Sequence, residues 1–172
     1  LQGEDARDES TLGIRPDDAL VSIKAGVKGI RIGIPQHTFF DNVDTEVEQA
    51  VMGAAQVFRN LGATVENIPY PEAEAVTKMS SVINGVEAAV IHEERLKTKA
   101  DLMDTVVGPR MLSEREYLAT DYVKMLNELK ELQVSQMETL SEVDVVLSPS
   151  ARIPAMPVAT VDESLAIYLD YA

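Results

Sequence analysis

Between Gly29 and Ile68 the hydrophobic period changes twice over short connections, and that pattern leaves very few folds open. Gly29-Ile-Arg-Ile-Gly-Ile34 is a short β-branched run that predicts a strand, ended by Pro35 and followed by a loop through Phe39 and Phe40. Asp44 is then placed as the N-cap of a helix in which Val47, Ala50, Val51, Ala54, Ala55, Phe58 and Leu61 recur at three- and four-residue spacing. Gly62 closes that helix as a C′ residue, and Ala63 to Ile68 supplies a second strand before Pro69 and Pro71. Strand, helix and strand joined so tightly imply a parallel pair with a right-handed crossover, so the fold class is α/β with a short parallel βαβ unit.

A second constraint lies at Val143-Asp-Val-Val-Leu-Ser-Pro-Ser-Ala-Arg-Ile-Pro-Ala-Met-Pro157. The valine-rich beginning predicts a further strand buried inside the sheet. Prolines at 149, 154 and 157 remove ladder donors and hold the backbone extended, so a stiff loop leaves the strand end. Open α/β sheets bind ligands at strand ends, which puts Ser148, Ser150 and Arg152 where a site belongs. The competing reading is an exit loop that only packs against a neighbour.

The stretch between these landmarks is helical. Val76, Met79, Ile83, Val86, Val90 and Ile91 keep helical spacing as far as Glu93-Glu-Arg-Leu-Lys97, which predicts one long helix. A weaker segment at Leu102 to Met111 is expected to break at Gly108 and Pro109. Ser113 and Glu116 have capping-box spacing, and Thr120 is the expected cap of a final long helix with apolar positions Val123, Leu126, Leu129, Val134, Met137 and Leu140. The chain thus divides into a charged linker (1–28), the βαβ unit (29–71), a helical part (72–141) and a strand, proline-rich loop and terminal amphipathic helix (142–172), all one α/β region. Its length suits one domain.

Charge and composition exclude several function classes. A formal net charge of −14 repels nucleic acid and anionic membrane surfaces. With no cysteine there are no disulfides, thiolate nucleophiles or thiolate metal sites, a usage that fits a reducing, cytoplasmic setting. No apolar run approaches the roughly 18 residues of a spanning helix. His37 and His92 do not share metal-ligand spacing, and no nucleophile elbow, phosphate loop or dinucleotide fingerprint is present; no cofactor is indicated. Lys78 near Ser80 and Ser81 has the composition of a base beside a nucleophile, yet without a third orienting group it reads as a polar stripe.

Four segments, in this order, resemble the amidase signature enzymes, a family that includes the amidotransferase A subunit, allophanate hydrolase and many bacterial amidases. They are Gly29-Ile-Arg-Ile-Gly-Ile-Pro35, the block from Asp44 to Glu66, the helix with Glu87-Ala88, and Val143 to Ser150 leading to Pro154 and Pro157. The resemblance implies a partial amidase-signature-like fold and hydrolysis of C–N amide bonds. Family members use a serine nucleophile, a second serine in a cis peptide and a lysine, in or ahead of a glycine- and serine-rich segment that lies upstream of the region matched here. Neither that segment nor the later Phe-Thr-x-Pro-x-Asn pattern occurs in these residues. The expectation is a middle-to-late portion of an amidase, inert alone, partnered by the remaining polypeptide or a complementing chain, with a homo-oligomer also open. By resemblance Arg110, twelve residues before Tyr122, is a substrate-carboxylate ligand and Tyr122 a second substrate-binding candidate, while Ser80-Ser81 depart from the tyrosines of the amidotransferase protein. That departure favours a small carboxylate-bearing amide over glutamine. The alternatives are a non-catalytic α/β binding domain and a structural subunit that completes another chain through the amphipathic end at Leu165 to Leu169.

Overall fold

The computed structural model describes residues 3–18, 20–104 and 107–157; the helix expected at Leu165 to Leu169 lies outside them. Three parallel strands form one sheet in the order β2-β1-β3, with β1 at Arg31–Pro35, β2 at Thr64–Ile68 and β3 at Val145–Val146. The central strand is buried from Ile32 to Pro35, the continuous burial expected of a strand covered on both faces. Gly33 is required there, because a Cβ would stand 2.6 Å from Cδ1 of Ile68 on the neighbouring strand. Helix α1 (Thr45–Asn60) makes the crossover. The Asp44 side chain accepts from the Glu46 amide at 2.8 Å, and the helix ends in a Schellman pair, Ala63 N–H to Phe58 O and Gly62 N–H to Arg59 O, with Gly62 at φ +93.

The third strand is not buried. Val145 and Val146 are 50% and 39% exposed, because β3 is the sheet edge and pairs with β1 alone among the described residues. A valine-rich run marks a strand without saying whether it is central or peripheral. What holds it is a clamp: Arg31 donates through its guanidinium Nη2 to Asp144 Oδ1 at 2.8 Å and through its backbone N–H to Oδ2 at 2.8 Å. The pairing draws the Asp144 carboxyl below its ordinary range and raises the Arg31 guanidinium.

The helical layer comprises α2 (Ala73–Ile91), α3 (Glu93–Thr98), α4 (Val107–Ser113) and α5 (Ala119–Thr139). The expected long helix is found as α2, which closes at Ile91 just before Glu93, while three other expectations fail in this layer. Gly108 and Pro109 do not break a helix, since α4 runs through both of them to Ser113. Ser113 makes no capping box; its hydroxyl donates back to the Arg110 carbonyl at 2.8 Å. Leu118, not Thr120, is the N-cap of α5.

The face of α5 turned to α2 also differs from the apolar stripe. Val123, Val134 and Met137 are exposed, Met137 by 75%, while Ser135 and Thr139 turn inward. Their hydroxyls donate to Oε1 of Glu72, at 2.5 and 3.3 Å, and Glu72 is only 7% exposed. Glu72 stands at the N-cap position of α2 yet caps nothing, because its carboxylate is turned across to α5. Among the described residues large apolar side chains stand exposed, at Leu20, Val21, Ile23, Val90, Ile91 and Leu102.

Candidate functional site

The strand order reverses at β1: the crossover through α1 puts β2 on one side, and the return from the helical layer puts β3 on the other. In open parallel sheets such a reversal leaves a crevice at the carboxyl ends of the diverging strands. The loops leaving β1 and β3 meet there, where the Asp44 amide donates to the Arg152 carbonyl at 2.7 Å. Ser148 is half-buried, while Ser150 and Arg152 are exposed. On the β1 side His37, Thr38 and Asn42 hold left-handed backbone at φ 63, 38 and 58, a conformation that costs non-glycine residues about 1–3 kcal/mol each. Phe39 stacks on Tyr70 with ring centroids 5.8 Å apart, which braces that loop. A cavity of about 320 Å³ lies beside it, bordered by Gln36, His37, Phe40, Glu48 and Asn67.

A larger cavity, about 650 Å³, opens between the C-terminal half of α2 and the start of α5. Val86, Ala89, Val90, Ile91 and Tyr117 make it apolar, with Glu87, Glu93, Glu114, Arg115 and Tyr122 as its polar groups. Tyr122 donates its hydroxyl proton to Glu87 Oε1 at 2.8 Å, and this hydrogen bond, with desolvation and the Glu87 charge, raises the phenol's pKa above the ordinary value. Arg115 reaches Glu93 at 3.4 Å, and Glu93 also pairs with Lys97 at 2.8 Å. Glu114 crosses α2 at Gly85, where a Cβ would lie 2.8 Å from its Cγ. Its Oε2 is sealed from solvent without a hydrogen-bond partner.

The residues singled out from sequence therefore fall in separate places. Tyr122 borders the larger cavity. Arg110, on α4, is not among that cavity's walls; its Nη2 approaches Ser81 Oγ at 3.5 Å, a long contact. Ser148, Ser150 and Arg152 stand at the strand ends, and neither described cavity contains residues of both groups. Lys78 pairs with Glu74 at 2.6 Å, one turn away from Ser81. Among the described residues no group of three or more His, Asp or Glu side chains is arranged to hold a metal ion. Sequence reasoning missed Glu114, although Gly85 in mid-helix was a signal for it: a glycine there costs helix stability and marks a close approach.

Comparison with known proteins gives a consistent picture. The profile of the amidase family matches residues 1–171. An amidase of Pseudomonas putida is 32% identical over 157 residues, covering 90% of this chain and 33% of that protein. The A subunit of the glutamyl-tRNA(Gln) amidotransferase of Chromohalobacter salexigens is 26% identical over 194 residues, covering 98% of this chain and 40% of that one. The chain thus spans between a third and two fifths of the length of these relatives. Among solved structures, an inhibitor-bound vestigial complex, described as revealing the origins of an s-triazine catabolic enzyme, superposes with a TM-score of 0.80 at 23% identity, covering 91% of this chain and 34% of that one. The corresponding amidotransferase A subunit of Thermotoga maritima superposes at 0.68 and 22% identity, covering 97% and 36%. At those identities the two superpositions speak for the fold alone.

Proposed function

Because this chain belongs to the amidase family, we propose that it forms the scaffold and substrate-side portion of a hydrolase that cleaves C–N amide bonds with a serine nucleophile supplied from outside these 172 residues. The observation that carries the reading is the reversal of strand order at β1, which brings the loop of Ser148, Ser150 and Arg152 to the crevice where α/β enzymes bind ligands. Arg110 is the guanidinium suited to a substrate carboxylate, since its fork pairs both oxygens and its present contact to Ser81 is long and neutral. Tyr122 borders the neighbouring helical wall. The partners are a small amide and the polypeptide that covers the exposed apolar faces; a cytoplasmic setting fits, and among the described residues no helix is long and apolar enough to cross a membrane.

The exposed apolar side chains of the described residues support this reading and equally favour a second one, a non-catalytic α/β protein that completes another chain. Activity separates them. In the intact protein, ammonia release from small primary amides is expected, with Arg110→Ala raising KM for carboxylate-bearing amides roughly tenfold or more and sparing neutral ones. The 172 residues alone are expected to turn over neither. Serine-dependent turnover by the isolated residues, or an intact protein inert toward every amide, would overturn the proposal.

A further inference from the structure

We propose that Gly85 is a positioning residue: its bare backbone on α2 seats the Glu114 side chain and so keeps the Arg110 guanidinium free for a substrate carboxylate. The proposal rests on the amidase reading and deepens it, naming what preserves the positive charge of the carboxylate site. Two contacts carry it. Arg110 reaches Ser81 and Glu114 lies against Gly85, so positions i and i+4 of α2 are met by positions i and i+4 of α4 and the 3-10 turn Glu114–Glu116 that continues it. Arg110 and Glu114 therefore share one face.

Opposite charges at that spacing attract. Yet among the described residues neither Arg110 nor Glu114 has an ion-pair partner, while Lys78 is engaged by Glu74 and Arg115 by Glu93. The reason is room on α2. At Gly85 a Cβ would stand 2.8 Å from Cγ, 2.9 Å from Cδ and 3.1 Å from Oε1 of Glu114, so the outer part of the glutamate occupies the space that any other residue would fill. That seat satisfies no charge, because Oε2 is shut from solvent without a hydrogen-bond partner. Space alone holds the carboxylate there. A methyl at Gly85 expels it, and the unpaired cation one turn away on its own face is Arg110. Once paired, the guanidinium fork no longer offers both arms to a substrate, and the added negative charge repels one.

The test uses the intact protein with succinamate and butyramide, small primary amides that differ in whether a carboxylate is present. Gly85→Ala is expected to raise KM for succinamate roughly two- to fivefold, with kcat and both butyramide constants unchanged. Adding Glu114→Gln to that variant is expected to restore the parent KM, and Glu114→Gln alone to leave it as it is. A crystal structure of the Gly85→Ala protein is expected to show the Glu114 carboxylate within about 4 Å of the Arg110 guanidinium. Where Arg110→Ala raises the succinamate KM, this proposal alone is overturned by a Gly85→Ala protein with the parent KM, by an increase shared with butyramide, or by one that survives Glu114→Gln. An Arg110→Ala protein with unchanged succinamate KM, or an intact protein inert toward both amides, overturns the amidase reading of Arg110 and this proposal together.

Discussion

The sheet half of the protein and its helical half are held together by different forces. Around β1 the backbone itself does the joining: a parallel ladder, an Asp44 cap, a Schellman ending at Gly62, and Ile32, Ile34 and Ile68 closed over Gly33. Across the helical layer the long helices α2 and α5 lack side-chain caps, and α5 has no fully buried residue. There the joints are side-chain hydrogen bonds between helices, Glu72 to Ser135 and Tyr122 to Glu87. Local bonds specify a shape from a few adjacent residues, whereas side-chain bridges specify only how finished helices meet.

Truncation in the two cores is the strongest way to break this contrast. Ile34→Ala is expected to destabilise by about 2–5 kcal/mol, read by denaturant unfolding, because Ile34 is 3% exposed beneath the crossover. Leu132→Ala on the half-buried face of α5 is expected to cost clearly less; equal losses would mean that the helical half is packed as tightly as the sheet. Glycine replacements sharpen the same point. Gly33→Ala drives a methyl against the buried Ile68 side chain and is expected to cost about 1–3 kcal/mol. Gly85→Ala meets only the flexible Glu114 and gains helix propensity of roughly 0.5–1 kcal/mol, so its net effect is expected near zero, with Glu114 turned outward.

The same division decides what could be read from the chain before its structure. Asp44, Gly62 and the strand–helix–strand order were legible because each signal is spent within a few residues of where it acts. The helix starts were less so, because α2 and α5 begin without a side-chain cap: Leu118 opens α5 with no local signal, Thr120 lies inside it, and α4 continues through Pro109. Likewise the valines of β3 carry strand propensity, but the edge position depends on which strand pairs with which. At the candidate site the proline-stiffened loop was legible, since proline acts on its own backbone. The pairing of Tyr122 with Glu87 joins residues 35 apart in sequence, and no local pattern announces it.

Acid titration probes the helical joints in particular. The Ser135 hydrogen bond holds the Glu72 carboxyl below its ordinary range against the opposing effect of burial. A carboxylate with a folded-state pKa below its unfolded one stabilises above the unfolded value, about 4.3, and that contribution is lost as pH falls through the folded value. Hydrogen exchange below about pH 4 is therefore expected to open the α2–α5 contact before the β1–β2 ladder. Glu72→Gln is expected to lower stability at neutral pH by about 1–3 kcal/mol and to flatten the acid dependence. Simultaneous opening of both regions would show one cooperative unit and remove the contrast.

The smallest effect belongs to the half-buried Tyr122, whose ionisation is raised by its hydrogen bond to Glu87. Here the sign is reversed: a group with a raised pKa contributes below its unfolded value, about 10 for a phenol, and the contribution fades as pH rises through the folded one. Ultraviolet titration of the tyrosines is expected to show Tyr122 ionising late beside Tyr70, which burial raises, and Glu87→Gln is expected to bring Tyr122 alone back toward the others without altering the fold. If the late ionisation of Tyr122 persists in that variant, burial and not the Glu87 bridge sets the phenol, and α5 is positioned on α2 by packing.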